Sequence, residues 1–309
     1  MKTHMLCALT LAASASIFAP AAMAEEYRIG TASVGGAFFP IGQGISNLVN
    51  KYGGGDITMV PIVTQGSVQN PRLVAQGEVE IGITNANLAA DAVAGRGAYN
   101  GNAIDIKALG PLHPSVLHMV VADGSDIQSF ADLAGKRVAV GPAGGGTMGF
   151  LNNILPVYGL TLDDITPSFL SYGDGFSQLS DGNVDAALAL SGYPAAAVMQ
   201  AAASGPLRMI TMEDDKLQQI LTDNPAYSTF DIAADVYDMP SDATVLGVTN
   251  MLIVPTDMAA EMAEKIAASV YDHLDEFAAE NANARQIDPA RAASLSIDLH
   301  DGAQAYFSK

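Results

Sequence analysis

Cysteine is nearly missing from this sequence. One residue in 309 is a cysteine, Cys7, and it lies in an N-terminal segment that reads as an export signal. Lys2 supplies a thin positive region, "MLCALTLAASASIFA" an apolar run, and "AMA" at residues 22–24 a small-x-small cleavage site. Cleavage leaves Glu25 first, so residues 1–24 are the signal peptide and the mature chain carries no cysteine. Disulfides, a thiolate nucleophile and cysteine-ligated metal are thereby excluded. Small residues and Pro20 make the segment a poor membrane span, and no later stretch has about 18 uninterrupted apolar residues. A soluble, exported, periplasmic chain is expected.

Charge is scarce too, and positive charge most of all. Charged residues make up 15% of the chain, and acids outnumber bases 33 to 14 for a formal net charge of −19. Such a surface repels nucleic acid and anionic lipid headgroups, so neither is expected as a partner. It repels anionic ligands at long range as well, so any anion site must work through local dipoles. Catalytic signatures are also wanting. The sequence has no G-x-S-x-G elbow, no H-E-x-x-H and no carboxylate pair at readable spacing. His113, His118, His273 and His300 are too dispersed for a metal cluster. An enzyme is disfavoured, and no cofactor or metal is expected.

What the chain does have is apolar content of 49% and enough length for two lobes with real cores. Short apolar strands alternate with helical segments in two series, the signature of βα units around a mostly parallel sheet. In the first series, strands "EYRIGTA", "ITMVPIVTQG" and "VEIGITN" precede helices at 37–52, 67–76 and 87–95. In the second, "RVAVG", "PSFLSY" and "VDAALAL" precede helices at 145–158, "GFSQLSDG" and 194–203. Between the series runs "LGPLHPSVLHMVV", extended and broken by Pro111 and Pro114, and "TVLGVTNMLIVP" is extended again near the C-terminus. A long amphipathic helix is predicted from about Thr256, with Met258, Met262, Ile266, Val270 and Leu274 on one face. Residues 224–241, punctuated by Pro225 and Pro240, read as a loop. The expected architecture is two α/β lobes joined by two extended crossings: residues 25–117 plus 251–309, and residues 118–250. Ligands bind in clefts between such lobes.

Two glycine-rich turns stand where helices should begin. "SVGG", with Gly35 and Gly36, precedes the first helix; "AGGGT" precedes the helix of the second lobe. Gly144, Gly146 and Gly149 fit G-x-G-x-x-G, but the following strand ends without the ribose-binding acid, and neither turn has the Lys-Ser/Thr pair of a phosphate loop. What survives is the physical core of the motif: free N–H groups and the dipole of a helix start hold an anion, and glycine lets it approach. Both turns follow strands and so point to one cleft. The same edge offers Gln65, Ser67, Thr84, Asn85, Thr147, Ser171, Tyr172, Ser191 and Gly192, a polar but uncharged set; each alone could equally be a helix cap. His113 and His118 fall on the crossing, where a structural role competes with a cleft-facing one. Arg72 is a candidate charge partner for a carboxylate.

The stretches "IGTASVGGAFFPIG", "TQGSVQNPRLVAQGEVEIGITNANLA", "SFADLAGKRVAVGPAGGGT", "DGNVDAALALSGYPAAAV" and "LHDGAQAYF" together span the mature chain. In order and spacing it resembles the solute receptors of TAXI-type TRAP transporters. That resemblance implies a type II periplasmic-binding-protein fold, with two α/β lobes closing on a small organic anion such as glutamate or 2-oxoglutarate. It implies delivery to a TRAP membrane permease by a monomeric receptor. Carried over by motif, the ligand-binding positions are Ser33, Gly35, Gly36, Phe38, Gln65, Ser67, Asn70, Asn85, Gly145, Gly146, Thr147, Ser191 and Gly192; Val34, His113 and Tyr172 complete the candidate set. Two positions depart from the pattern: "LHPS" puts His113 where an aromatic hydroxyl is typical, and "NAN" replaces "QAD" at Asn85–Asn87. The alternatives are a receptor for an ABC importer or sensor system and, further off, an exported enzyme.

Overall fold

Two α/β lobes share one continuous sheet in the computed structural model, which describes residues 24–309. Residues 1–23, with Cys7 and nearly all of the expected signal peptide, lie outside the described residues. The strands are β1 (Glu25–Gly30), β2 (Ile57–Ile62), β3 (Ile81–Asn85), β4 (Ile106–Ala122), β5 (Arg137–Ala139), β6 (Thr166–Ser168), β7 (Ala186–Ser191), β8 (Leu207–Met209), β9 (Tyr227–Ile232) and β10 (Ala243–Pro255). The helices are α1 (Phe38–Tyr52), α2 (Asn70–Ala75), α3 (Ala86–Ala94), α4 (Gly146–Ile154), α5 (Tyr172–Ser180), α6 (Ala196–Ser204), α7 (Asp214–Asp223), α8 (Ala260–Tyr271), α9 (Leu274–Glu280) and α10 (Asp301–Phe307). The sheet runs β2-β1-β3-β10-β4-β7-β5-β6, with β8 added to β4 and β9 to β10.

The long strands β4 and β10 are antiparallel and serve both lobes by changing partners along their length. In the first lobe Asn250–Ile253 of β10 pairs with β3, which continues parallel into β1 and β2. In the second lobe Val116–Val120 of β4 pairs with β7, which continues parallel into β5 and β6. Between these regions the register slips: Thr249 faces Pro114 but Met251 faces Pro111. Leu112 and His113 therefore sit opposite Asn250 alone, a bulge that kinks the ladder. The two prolines do not break the extended stretch as its sequence suggested; they flank the bulge, where a missing N–H is tolerated.

One apolar cluster belongs to each lobe, and a third runs through both. In the first lobe, α1 buries Phe38, Ile41, Ile45, Leu48 and Val49, spaced three and four apart, against Ile29, Ile81 and Ile83 of the sheet. In the second lobe, Phe176 and Val198 cover one sheet face while Phe130, Phe150 and Ile154 cover the other. The long C-terminal helix is in fact two, α8 and α9. Ile266 and Val270 are fully buried, whereas Met258, Met262 and Leu274 only border the core. At the break, His273 stacks on Tyr52 with ring centroids 3.4 Å apart. The stretch 224–241 is not all loop: β9 lies within it, because Pro225 and Pro240 bracket the strand instead of interrupting it.

At the bulge, the fully buried Asn250 satisfies backbone and side-chain groups from two neighbouring strands, β4 and β3. Its Nδ2 donates to the His113 carbonyl at 2.7 Å and to Ser115 Oγ at 2.9 Å. Its Oδ1 accepts from Asn85 Nδ2 at 2.7 Å. Asn250→Ala strands those partners without water, so it should lower unfolding free energy by about 2–4 kcal/mol, read as a drop in the urea midpoint.

Candidate functional site

The C-terminal ends of the parallel strands from both lobes face each other, and the turns that follow them meet. Ser33–Gly36 leads from β1 into α1, and Gly35 takes φ +97°, a left-handed conformation that suits glycine. Gln65–Ser67 leads from β2 to α2, the 141–145 turn from β5 into α4, and Ser191–Gly192 ends β7. Ser33, Gly36, Phe38, Gln65, Gly146 and Tyr172 are among the residues walling a small space between the turns, joined by Ser67 and Gly145. Its volume is about 10 Å³, room for about one water molecule.

The lobes are shut directly on each other. Val34 and Gly35 present their carbonyls to the amides of Gly173 (3.2 Å) and Ala197 (3.0 Å). The Ala37 amide donates to Ser191 Oγ at 2.9 Å, and the Gly144 amide to Gln65 Oε1 at 2.9 Å. The Val68 amide donates to the Gly144 carbonyl at 3.1 Å. Val34 itself is 62% exposed, so its contribution here is its backbone.

Several of the sequence-selected side chains are occupied inside the protein. Asn70 Nδ2 donates to the carbonyls of Gly30, Thr31 and Ile83, and its Oδ1 accepts from Thr64. The hydroxyls of Thr147 and Tyr172 bond each other at 2.7 Å, and the Leu190 amide donates to both at 3.2 Å. They fasten the end of β7 to α4 and α5. The Ser67 carbonyl accepts from Thr84 Oγ1. Arg72 donates to the Ala98 carbonyl and lies over the Tyr99 ring, away from the cleft walls.

Other groups remain open toward the cleft. The amides of Gly146 and Thr147, at the start of α4, have no intrahelical acceptor by geometry, and no carbonyl outside the helix takes them among the described residues. Ser33 Oγ and Asn85 Oδ1 are buried without a hydrogen-bond partner among the described residues. Asn85 Oδ1 aims across the cleft at Gly146, where an added methyl would overlap it. Glycine at 146 thus keeps the α4 amides approachable. The buried side chains of the described residues include no Lys, Arg, Asp or Glu, so donors and dipoles, not counter-ions, set the electrostatics of this cleft.

The two crossing histidines have different settings. His118 is structural: its Nε2 meets the Tyr237 hydroxyl at 2.8 Å and its Nδ1 the Ala189 carbonyl at 3.3 Å. Tyr237 in turn accepts from the Ala195 amide. His113 lies edge-on to Phe38, fully buried, and neither ring nitrogen has a partner among the described residues. Sequence reading missed two residues beside it, Asn283 and Gln286, which reach across from a 3-10 turn (Ala282–Gln286) to the carbonyls of Pro194 (3.3 Å) and Tyr193 (2.6 Å). No local motif marks them, since they arrive from a segment some 90 positions away. Among the described residues, no group of three or more His, Cys, Asp or Glu could hold a metal.

With this geometry in place, comparison with known proteins decides the family. Residues 29–308 match the NMT1-like family. The chain belongs to that family. Among solved structures this NMT1-like protein is similar to the alkanesulfonate-binding protein SsuA from Xanthomonas axonopodis pv. citri bound to MOPS, at 14% identity and TM-score 0.50, covering 93% of this chain and 85% of that one. A putative L-cystine ABC transporter from Listeria monocytogenes gives 12% identity and TM-score 0.54, covering 86% and 99%. The effector binding domain of QuiR in complex with shikimate gives 10% and 0.51, covering 80% and 95%. At such identities the likeness establishes the two-lobed, type II periplasmic-binding-protein fold of this NMT1-like chain.

Burial depresses both crossing histidines below the ordinary 6.5, His113 to about 3 and His118 to about 4. The folded protein therefore binds fewer protons than the unfolded chain below pH 6.5. Stability should be level above about pH 7 and fall as pH drops from 6.5 toward 4, by about 1.4 kcal/mol per histidine per pH unit. Urea midpoints at pH 7.5, 6 and 5 measure this, and His113→Asn should remove about half of the slope.

Proposed function

We propose that this NMT1-like protein is an extracytoplasmic solute receptor, not an enzyme, that binds one small organic anion between its lobes. The observation that carries the reading is the pairing of free α4 amides with the unpartnered Ser33 and Asn85 across a closed interlobe cleft. Backbone amides at a helix start neutralise an anion locally. They can do so in a chain of net charge −19, because surface charge is screened within about 8–10 Å.

On this reading the lobes, with boundaries near residues 117 and 250, part at the β4–β10 bulge to admit the ligand. The present cleft is too small for any organic acid, so bound ligand must replace part of the direct lobe–lobe bonding. The positions that touch it are Ser33, Gly36, Phe38, Ser67, Asn85, Gly145 and Gly146, with His113, Ser191 and Gly192 behind. Val34, Gly35, Gln65, Asn70, Thr147 and Tyr172 shape the walls and the closed interface. The anionic group is a carboxylate or, by analogy with the alkanesulfonate-binding protein from Xanthomonas, a sulfonate.

For the membrane partner, the ABC importer alternative is better supported than a TRAP permease. The similar Listeria protein is a putative L-cystine ABC transporter, and the TRAP reading rests on sequence resemblance alone. Uptake in proteoliposomes separates them, since one system needs ATP and the other an ion gradient.

The binding reading is tested on protein unfolded in guanidinium to strip its ligand and then refolded. Thermal-shift screening against small carboxylates and sulfonates should raise Tm, and mass spectrometry of the stripped fraction should show one small acid. Ser33→Ala, which removes a hydroxyl with no partner in the protein, should weaken binding about tenfold, about 1.4 kcal/mol, with Tm of the unliganded protein little changed. A screen with no stabilising acid would sink the proposal.

A further inference from the structure

A second polar cluster, separate from the α4 amides, lies behind the Phe38 side of the cleft. His113 from the bulge and Asn283 from the 3-10 turn stand on either side of Gly192, where an added methyl would overlap both Asn283 Oδ1 and the His113 ring. His113 is fully buried and Asn283 is 6% exposed. Both His113 nitrogens and Asn283 Oδ1 lack a hydrogen-bond partner among the described residues. Gly192 follows Ser191, whose Oγ already meets the Ala37 amide at the anion end. Ser191 and Gly192 therefore link the anion end to the His113–Asn283 pair along the chain, and Phe38, which walls the cleft, lies edge-on to His113.

Resting on the receptor reading above, we propose that this cluster is a specificity subsite for the ligand's far end, and that it takes an uncharged hydrogen-bond donor, a hydroxyl or a carboxamide, and rejects a second acid group. Asn283 Oδ1 can only accept. A neutral imidazole offers one donor and one acceptor, and burial keeps His113 neutral. A hydroxyl or carboxamide supplies both donor and acceptor atoms and matches this pair. A carboxylate or sulfonate would face the Asn283 oxygen with lone pairs against lone pairs. No Lys or Arg is buried among the described residues to offset the second charge, and burying an unpaired charge is expensive. Gly192 serves the subsite by letting Asn283 Oδ1 and the His113 ring pack against its backbone. Because Asn283 Nδ2 also reaches the Pro194 carbonyl, a fitting far end is engaged by the same residue that ties the lobes together.

The test uses stripped and refolded full-length mature protein and matched acids that differ at one end: glutaramate against glutarate, and isethionate against sulfoacetate. Dissociation constants come from isothermal titration calorimetry. The expected result, in whichever pair binds, is at least about tenfold tighter binding of the hydroxyl or amide member, with the ratio falling below about threefold in Asn283→Ala and in His113→Asn. Unliganded Tm values check that each variant folds; should one fail, the other and the wild-type ratio still decide. Equal or tighter binding of the diacid overturns the subsite and leaves the receptor reading standing. A preference that persists in both variants also overturns it. If all four acids fail to bind, the subsite falls, and if the wider acid screen is blank as well, so does the receptor reading.

Discussion

Two strands that cross between lobes must change hydrogen-bonding partners in the interior, and backbone groups left unpaired there are costly. One side-chain amide meets that constraint. Asn250 replaces the ladder bonds lost at the bulge by reaching the His113 carbonyl and Ser115, and it holds Asn85 by its own oxygen. The remaining features of the cleft follow from it. The bulge aims His113 toward Phe38 and Gly192, away from the sheet's own hydrogen bonds. Fixing Asn85 Nδ2 leaves its Oδ1 turned toward Gly146. The strand crossing and the candidate site are thus built from the same atoms.

Charge is partitioned as sharply as structure. Bases are few, and those that form ion pairs do so at the surface: Arg28 with Glu80, Lys51 with Glu276, Arg137 with Asp185, Lys265 with Asp56. Exposed pairs of this kind contribute about 0–1 kcal/mol each, so they neither hold the fold nor supply a cation to the cleft. The interior relies on amides and hydroxyls. On the proposed reading that choice suits reversible capture, because a neutral donor set holds an anion without burying a counter-ion as well.

Much of the fold was legible because its signals are local. Strand–helix alternation, the apolar stripe of α1 and the glycine turns each lie within a few residues of what they determine. The failures lie where tertiary context decides. Prolines 225 and 240 read as loop punctuation but bracket β9; the Met258–Leu274 face looked continuous, yet the chain turns at His273 to stack on Tyr52. At the cleft, sequence could bring Asn70, Asn85 and Thr147 to one edge. It could not tell which of their polar atoms are already bonded to the protein, and that difference separates Asn70 from Asn85. Asn283 and Gln286 had no signal at all. Asn250 had one: an asparagine inside "TNMLIV" is a polar side chain in a buried strand and demands partners.

The closed cleft also bears on how selectivity would arise. Five hydrogen bonds join the turns directly, through Val34, Gly35, Ala37, Gln65 and Val68. Each contributes a net of about 1 kcal/mol, so the lobes need little help to meet, and a ligand that merely wedges between them loses those bonds for nothing. Only a molecule that returns more than it displaces shifts the population toward a bound, closed form. The return comes from groups now unsatisfied: the α4 amides, Ser33, Asn85, and on the proposed subsite His113 and Asn283. A ligand that reaches only one set leaves the other set's polar atoms buried and unpaired, at about 1–3 kcal/mol apiece. Discrimination then scales with how completely a ligand answers both sets at once, and the small size of the space makes partial answers expensive.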